Sequence, residues 1–356
     1  MNEVLMTTKK DDVFYCGVSK EKVEEAFPVL KEDILSFFKQ YIHERYQVHV
    51  KKDVLGEKRP WTRDPAIQKF RFTNVRREHD KESHWLIRNI SQSENLTYEE
   101  KILNSILFRS WNKSSTMEIL GGPFKLQGFS DPEKYRPVIE EYQNDFPRYT
   151  WFTGAFNSGG LKQTFQFPDG IGYRNGYRKT SEAQEKPRYE ANMPIRMFYM
   201  IKWAVDNRIF ETIQNASTQE EVYNVIRMIP GYGPFLAYQV FVDLTYIPEF
   251  PFSENEFTVC GPGCKRGVDR LVKDRDGLSY EEFLFWLRDY QYELLFSKEE
   301  CQQLFEDLPI EDRYMNVMSI ENCFCEISKY LKVVLNEKGR PKQRYEGVST
   351  KKTLFY

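Results

Sequence analysis

Apolar residues recur at helical spacing along most of the chain. Across 20–48 they outline one or two helices, with Pro28 near the start of the second. The stretches 79–90 (HDKESHWLIRNI) and 97–112 (TYEEKILNSILFRSWN) are amphipathic, and Thr97 followed by Glu100 reads as a capping box for the latter. Asp131 before Pro132 opens a further helix over 131–146. Helical periodicity resumes over 192–206, 218–228, 234–245, 262–273, 279–293, 298–307 and 319–336. Between these runs, 147–190 alternates aromatic and polar residues and is rich in glycine, which predicts a short β excursion or a long ordered loop. No repeat and no low-complexity linker interrupts the pattern. The expected fold is mainly α: a single compact unit over 1–356 with an irregular insertion at 147–190 and a basic tail at 337–356.

Composition narrows this only a little. Charged residues make up 29% of the chain, a globular and not a disordered composition. No apolar run approaches a bilayer-spanning length, and the opening MNEVLMTTKKDDVFYCG lacks the apolar core of a signal peptide. A cytoplasmic location away from membranes is therefore expected. Cys16, Cys260, Cys264, Cys301, Cys323 and Cys325 have neither disulfide-framework nor zinc-site spacing and read as reduced, mostly structural thiols. His79 and His84 have no metal-spaced carboxylate or cysteine nearby in sequence and read as surface histidines; no metal or cofactor is expected.

Net charge is −2, but its distribution is uneven. Lys51, Lys52, Lys58, Arg59 and Arg63 cluster, KFRFTNVRR (69–77) carries cations and no acid, and the tail is basic from Lys338. Each cluster can be a solvated face; three of them together favour a polyanionic partner.

The stretch IRMIPGYGPFLAYQVFVDL (226–244) adds a sharper signal. Gly231 and Gly233 permit positive φ and close backbone approach, and Pro234 suits the first position of the next helix. Free N–H groups at that helix start favour an anion, so the hairpin either holds a DNA phosphate or is a plain helical corner. GPGCKRG (261–267) is a second glycine-rich helix start, with Lys265 and Arg266 beside it: a phosphate or pyrophosphate site, or a tight turn into a surface helix. In NVRREHD, Arg77 can fork onto a phosphate and Asn74 can pair with a base edge, while Arg77 and Asp80 can also form an ordinary ion pair. Asp243, among apolar neighbours, requires a partner or a site.

IPGYGPFLA resembles the helix-hairpin-helix of the DNA glycosylase superfamily, matching at Ile229, Pro230, Gly231, Gly233 and Ala237. Leu236 stands where that pattern has threonine. Phe235 stands where backbone-cutting members carry a nucleophilic lysine, so the resemblance implies no Schiff-base lyase step. FRFTNVRREHD, the hairpin and FTVCGPGCKRG, in that order, resemble the α-glutamyl/putrescinyl thymine pyrophosphorylase family, also found as the helical domain of 5-hydroxymethyluracil DNA kinases. The fit is carried by Asn74, Arg77, Asp80, Gln239, Asp243, Gly261, Pro262, Gly263 and Gly267 over roughly 65–295.

That resemblance implies work on modified pyrimidines in phage DNA, or in defence against it. The first expectation is a glycosylase that flips and excises a hydroxymethylated or glucosylated base, by analogy with a relative that removes glucosylated hydroxymethylcytosine as a defence. The alternative is a transferase that displaces pyrophosphate from activated hydroxymethyluracil in favour of an amine; a silent reader of modified DNA is the third. No G-x-x-x-x-G-K-[ST] run occurs, so a kinase phosphate loop is missing from this sequence. Cys260-Gly261-Pro262-Gly263 occupies the place of the usual glycosylase aspartate, leaving Asp243, Glu256 and Asp80 as catalytic candidates. The DNA-contacting candidates are Gly231, Gly233, Pro234, Asn74, Arg76, Arg77, Gln239, Gly261, Gly263, Lys265 and Arg266, with modified DNA as the partner.

Overall fold

Local capping signals set many of the helix boundaries in a computed structural model that describes residues 17–153, 172–174, 177–179, 194–339 and 344–345. Most of the 147–190 insertion, most of the basic tail and Cys16 lie outside the described residues. The fold is mainly α, as the periodicity predicts. None of the described helices is long and apolar enough to cross a membrane.

Among the described residues the helices gather into two compact units: Lys81–Glu256 forms the first, and the segments before Lys81 and after Glu256 together form the second. Both crossings fall in charged sequence (EHDKES and ENEFTV) without a glycine- or proline-rich linker.

The second unit contains α1 (Lys20–Glu25), α2 (Glu32–His49) and α3 (Pro65–Lys69) from the early segment. From the later segment come α12 (Pro262–Leu271), α13 (Tyr280–Asp289), α14 (Gln291–Leu294), α15 (Lys298–Leu304) and α16 (Val317–Val334). Phe38, Tyr41, Ile42 and Tyr46 lie on one face of α2 and are fully buried. Phe38 stacks on Phe324 of α16 with centroids 4.6 Å apart. The helix expected over 262–273 stops at Leu271, because Val272–Asp274 (β4) is extended and pairs antiparallel with Val29–Leu30 (β1).

The first unit contains α4 (Lys81–Leu86), α5 (Tyr98–Trp111), α6 (Ser114–Ile119), α7 (Arg136–Asp145), α8 (Ile195–Asp206), α9 (Ile209–Gln214), α10 (Gln219–Met228) and α11 (Pro234–Leu244). The 79–90 run is shorter as an α-helix than its periodicity predicts, giving way to a π-helical turn at Ile87–Ser91. The Thr97–Glu100 capping box forms, and α5 is buried from Glu100 to Trp111, so it serves as the central helix against which α11 and α8 pack. Within the 147–190 insertion, Gly172–Arg174 (β2) and Tyr177–Lys179 (β3) make a small hairpin.

Candidate functional site

In the first unit, α10 ends at Met228 and five residues turn the chain into α11. Gly231 has φ +86°, a conformation that a side chain would strain. The Tyr232 N–H donates to the Ile229 carbonyl at 3.0 Å, and the buried Tyr232 hydroxyl donates to the Ile106 carbonyl at 2.8 Å. These bonds fix the turn against α5. Gly233 caps α11 with Pro234 behind it, both exposed, and a Cβ on Gly233 would meet no atom within 4 Å. The start of α11 is thus an exposed corner, with half-exposed Phe235 beside it.

The other end of α11 is closed. Asp243 is fully buried, and both its oxygens accept from Arg109 of α5 in a bidentate pair. Arg109 also donates to Asn112 Oδ1 and, at 3.4 Å, to Ser83 Oγ. The apolar setting of Asp243 is thereby satisfied by structural pairing. Gln239 is buried on the same helix. Glu256 is exposed and accepts from Gln219 Nε2 at 3.0 Å.

The second unit gathers the NVRREHD residues. The Asn74 backbone N–H and side-chain amide both donate to Asp80 Oδ1, at 3.0 and 3.1 Å, and the amide also reaches the His79 carbonyl at 2.7 Å. Asn322 of α16 donates to the Asn74 carbonyl at 2.6 Å, so the loop is closed on itself and pinned to a core helix. Burial raises the Asp80 pKa, opposed by the Asn74 hydrogen bonds and by Arg45 and Arg77. The run 69–77 is only in part a solvated basic face: Arg71 is exposed, whereas Phe70, Phe72, Arg76 and Arg77 are buried. Arg76 is committed inward, to Glu78 and to the carbonyls of Asp312 and Tyr314 at 3.2 and 3.1 Å.

GPGCKRG divides its residues between two tasks. Gly261 caps α12 with open space where its Cβ would be, and Lys265 and Arg266 are exposed nearby. Gly263 lies against Cys325, and Gly267 lies directly on α16: a Cβ there would stand 2.2 Å from the Phe324 carbonyl oxygen. Next to this contact sits Glu321, buried with the Cys325 thiol donating to it at 3.1 Å. Burial pushes its carboxyl up to about 7, against the pull of Cys325 and Arg77. Cys260, Cys264, Cys301 and Cys323 are buried free thiols, as expected, and Cys325 is half-buried.

His84 is exposed, but the surface reading fails for His79. It stacks on His49 with centroids 3.8 Å apart and planes 13° from parallel. Burial lowers its pKa to about 4, helped by His49 and opposed by Glu78. Sequence reasoning missed Arg109, Glu321, His49 and Asp307. For Glu321 a signal existed: it lies four residues from both Val317 and Cys325 on the apolar face of α16.

The family described as "5-hmdU DNA kinase, helical domain" matches residues 32–340. A curated protein named "5-hmdU DNA kinase", from Bacillus phage SP10, is 26% identical over 325 residues. That alignment takes in 85% of this chain and 46% of the relative, so the chain spans about half the length of the phage protein. No solved structure matches. With its three ordered motifs inside the matched region, the chain belongs to the family of 5-hmdU DNA kinase helical domains.

Proposed function

We propose that this protein is an enzyme acting on a hydroxymethylated pyrimidine in DNA, and that it excises the base as a glycosylase. The observation that carries the reading is the open start of α11: Gly231 in the left-handed region, Gly233 uncovered, and the first residues of the helix exposed. Such a surface suits one backbone phosphate and reads no base. The name of the phage relative supplies the class of base. A flipped nucleotide would lose its C1′–N1 bond as charge develops on the sugar; water adds its oxygen to C1′ and its proton passes to a carboxylate, while the departing base takes up a proton. Asp243 is enclosed in its pair with Arg109, which leaves Asp80 and Glu256 as the candidates for that carboxylate, and Asp80→Asn and Glu256→Gln assign the task.

The second unit favours one other reading. Gly261, open at the start of α12, with Lys265 and Arg266 exposed beside it, suits a pyrophosphate leaving group and hence amine transfer to an activated base. Incubation with duplexes carrying plain, hydroxymethylated, glucosylated and pyrophosphorylated pyrimidines, followed by alkali and mass spectrometry, separates the two. Released base with alkali-labile strands supports excision. With a free amine added, an intact strand that has lost pyrophosphate and gained the amine replaces excision with transfer, and binding without any mass change reduces the protein to a reader.

A further inference from the structure

We infer that His49, His79 and Asp307 form a binding site for a divalent cation of the zinc class. Their ligating atoms, two imidazole nitrogens and a carboxylate oxygen, all lie within 4.8 Å of one another. They come from three segments of the second unit: the last residue of α2, the single-turn helix Arg77–His79, and the turn after α15. Two neutral imidazoles and a carboxylate match the donor set that zinc accepts, with water completing the coordination.

The surroundings are those of a ligand set already oriented. His49 Nδ1 faces Asp53 Oδ2 at 3.3 Å, which turns Nε2 toward Asp307 Oδ2, 3.6 Å away. That second distance is too long for a good hydrogen bond and leaves a gap. Tyr46 donates its hydroxyl to Asp307 Oδ1 at 2.7 Å, steadying the carboxylate from its other side. His79 Nδ1 is buried and has no hydrogen-bond partner among the described residues. A carboxylate on the far nitrogen of one imidazole, and a hydroxyl on the far oxygen of the carboxylate, are the supports that orient metal ligands.

Zinc bonds of about 2.1 Å in a tetrahedron put ligand atoms roughly 3.4 Å apart. The set therefore closes by about 1 Å on binding, and the stacked rings open to aim both nitrogens at the ion. His79 lies next to Asp80, so the ion would clasp the Asn74–Asp80 loop, already pinned to α16, to α2 as well. Its task is to hold that loop, and the inference stands whether the base is excised, modified or only bound.

The test uses the full chain, freed of metal by chelation and then titrated with Co²⁺ as a spectroscopic probe and with Zn²⁺. Expected are a visible cobalt band displaced by zinc, about one zinc retained per chain after desalting, and a higher melting temperature with zinc. His79→Gln and Asp307→Asn should lose the band and the shift, and His84→Gln should keep both. A wild-type chain with no cobalt band and no retained zinc overturns the inference, whatever the variants do. So does a His79→Gln chain that binds as the wild type does.

Discussion

The two helices that follow the glycine turns, α11 and α12, begin alike and are held differently. Each has a glycine cap with nothing where its Cβ would be and proline at the first position. Beyond the first turn they diverge. α11 is anchored electrostatically, its Asp243 enclosed and gripped by Arg109. α12 is anchored sterically, with Gly267 letting its backbone lie on that of α16. Glycine at a cap and glycine in a helix thus do opposite things here: one leaves space for a partner, the other removes space between two helices.

Breaking the anchors should cost most. Arg109→Met takes the guanidinium from a buried carboxylate and should lower stability by about 4 kcal/mol in urea unfolding. Gly267→Ala forces a methyl against the Phe324 carbonyl and should lower it by about 3 kcal/mol, with α12 and α16 pushed apart. Glu321 sharpens the contrast through pH. Its folded pKa of about 7 lies above the ordinary 4.5, so the unfolded chain releases this proton first. Its contribution is therefore fullest below that ordinary value and is lost as pH rises through the folded one. Between about pH 5 and pH 7 the loss should reach about 2 kcal/mol, and Glu321→Gln should abolish it in denaturation series at both pH values. At the caps the effect on stability should be smallest. Gly233→Ala should shift unfolding by less than about 0.5 kcal/mol, yet weaken DNA binding about tenfold in fluorescence anisotropy by crowding a phosphate. Unchanged DNA affinity in that variant would make the α11 turn a plain corner, like the packed part of α12.

What could be read in advance was what neighbouring residues decide. Thr97 with Glu100, and Asp131 before Pro132, mark helix starts because cap and backbone lie within a few residues of each other. The glycine turns were legible as turns for the same reason. The short helices at Pro65–Lys69, Ser114–Ile119 and Ile209–Gln214 were not, because runs of five or six residues hold too little periodicity. Nor were the partnerships of Arg109 with Asp243, Glu321 with Cys325 beside Gly267, or His79 with His49 and Asp307. Each apart from Glu321–Cys325 joins segments separated by tens to hundreds of positions, and spacing carries no trace of them. His79 shows the cost: judged by its sequence neighbours this histidine belongs on the surface, whereas its partners arrive from α2 and from the turn after α15.

The return of the chain to its second unit has a consequence for synthesis. α2 packs against α16, yet all of 81–256 is made between them. When α2 leaves the ribosome, its stripe of Phe38, Tyr41, Ile42 and Tyr46 has no α16 to cover it, and the wait lasts until the whole first unit has emerged. The described part of the first unit is continuous in sequence and can fold as it appears. The second closes only when its late helices come back to the early ones, so its exposed α2 face is the place where a chaperone, or an aggregate, would take hold first.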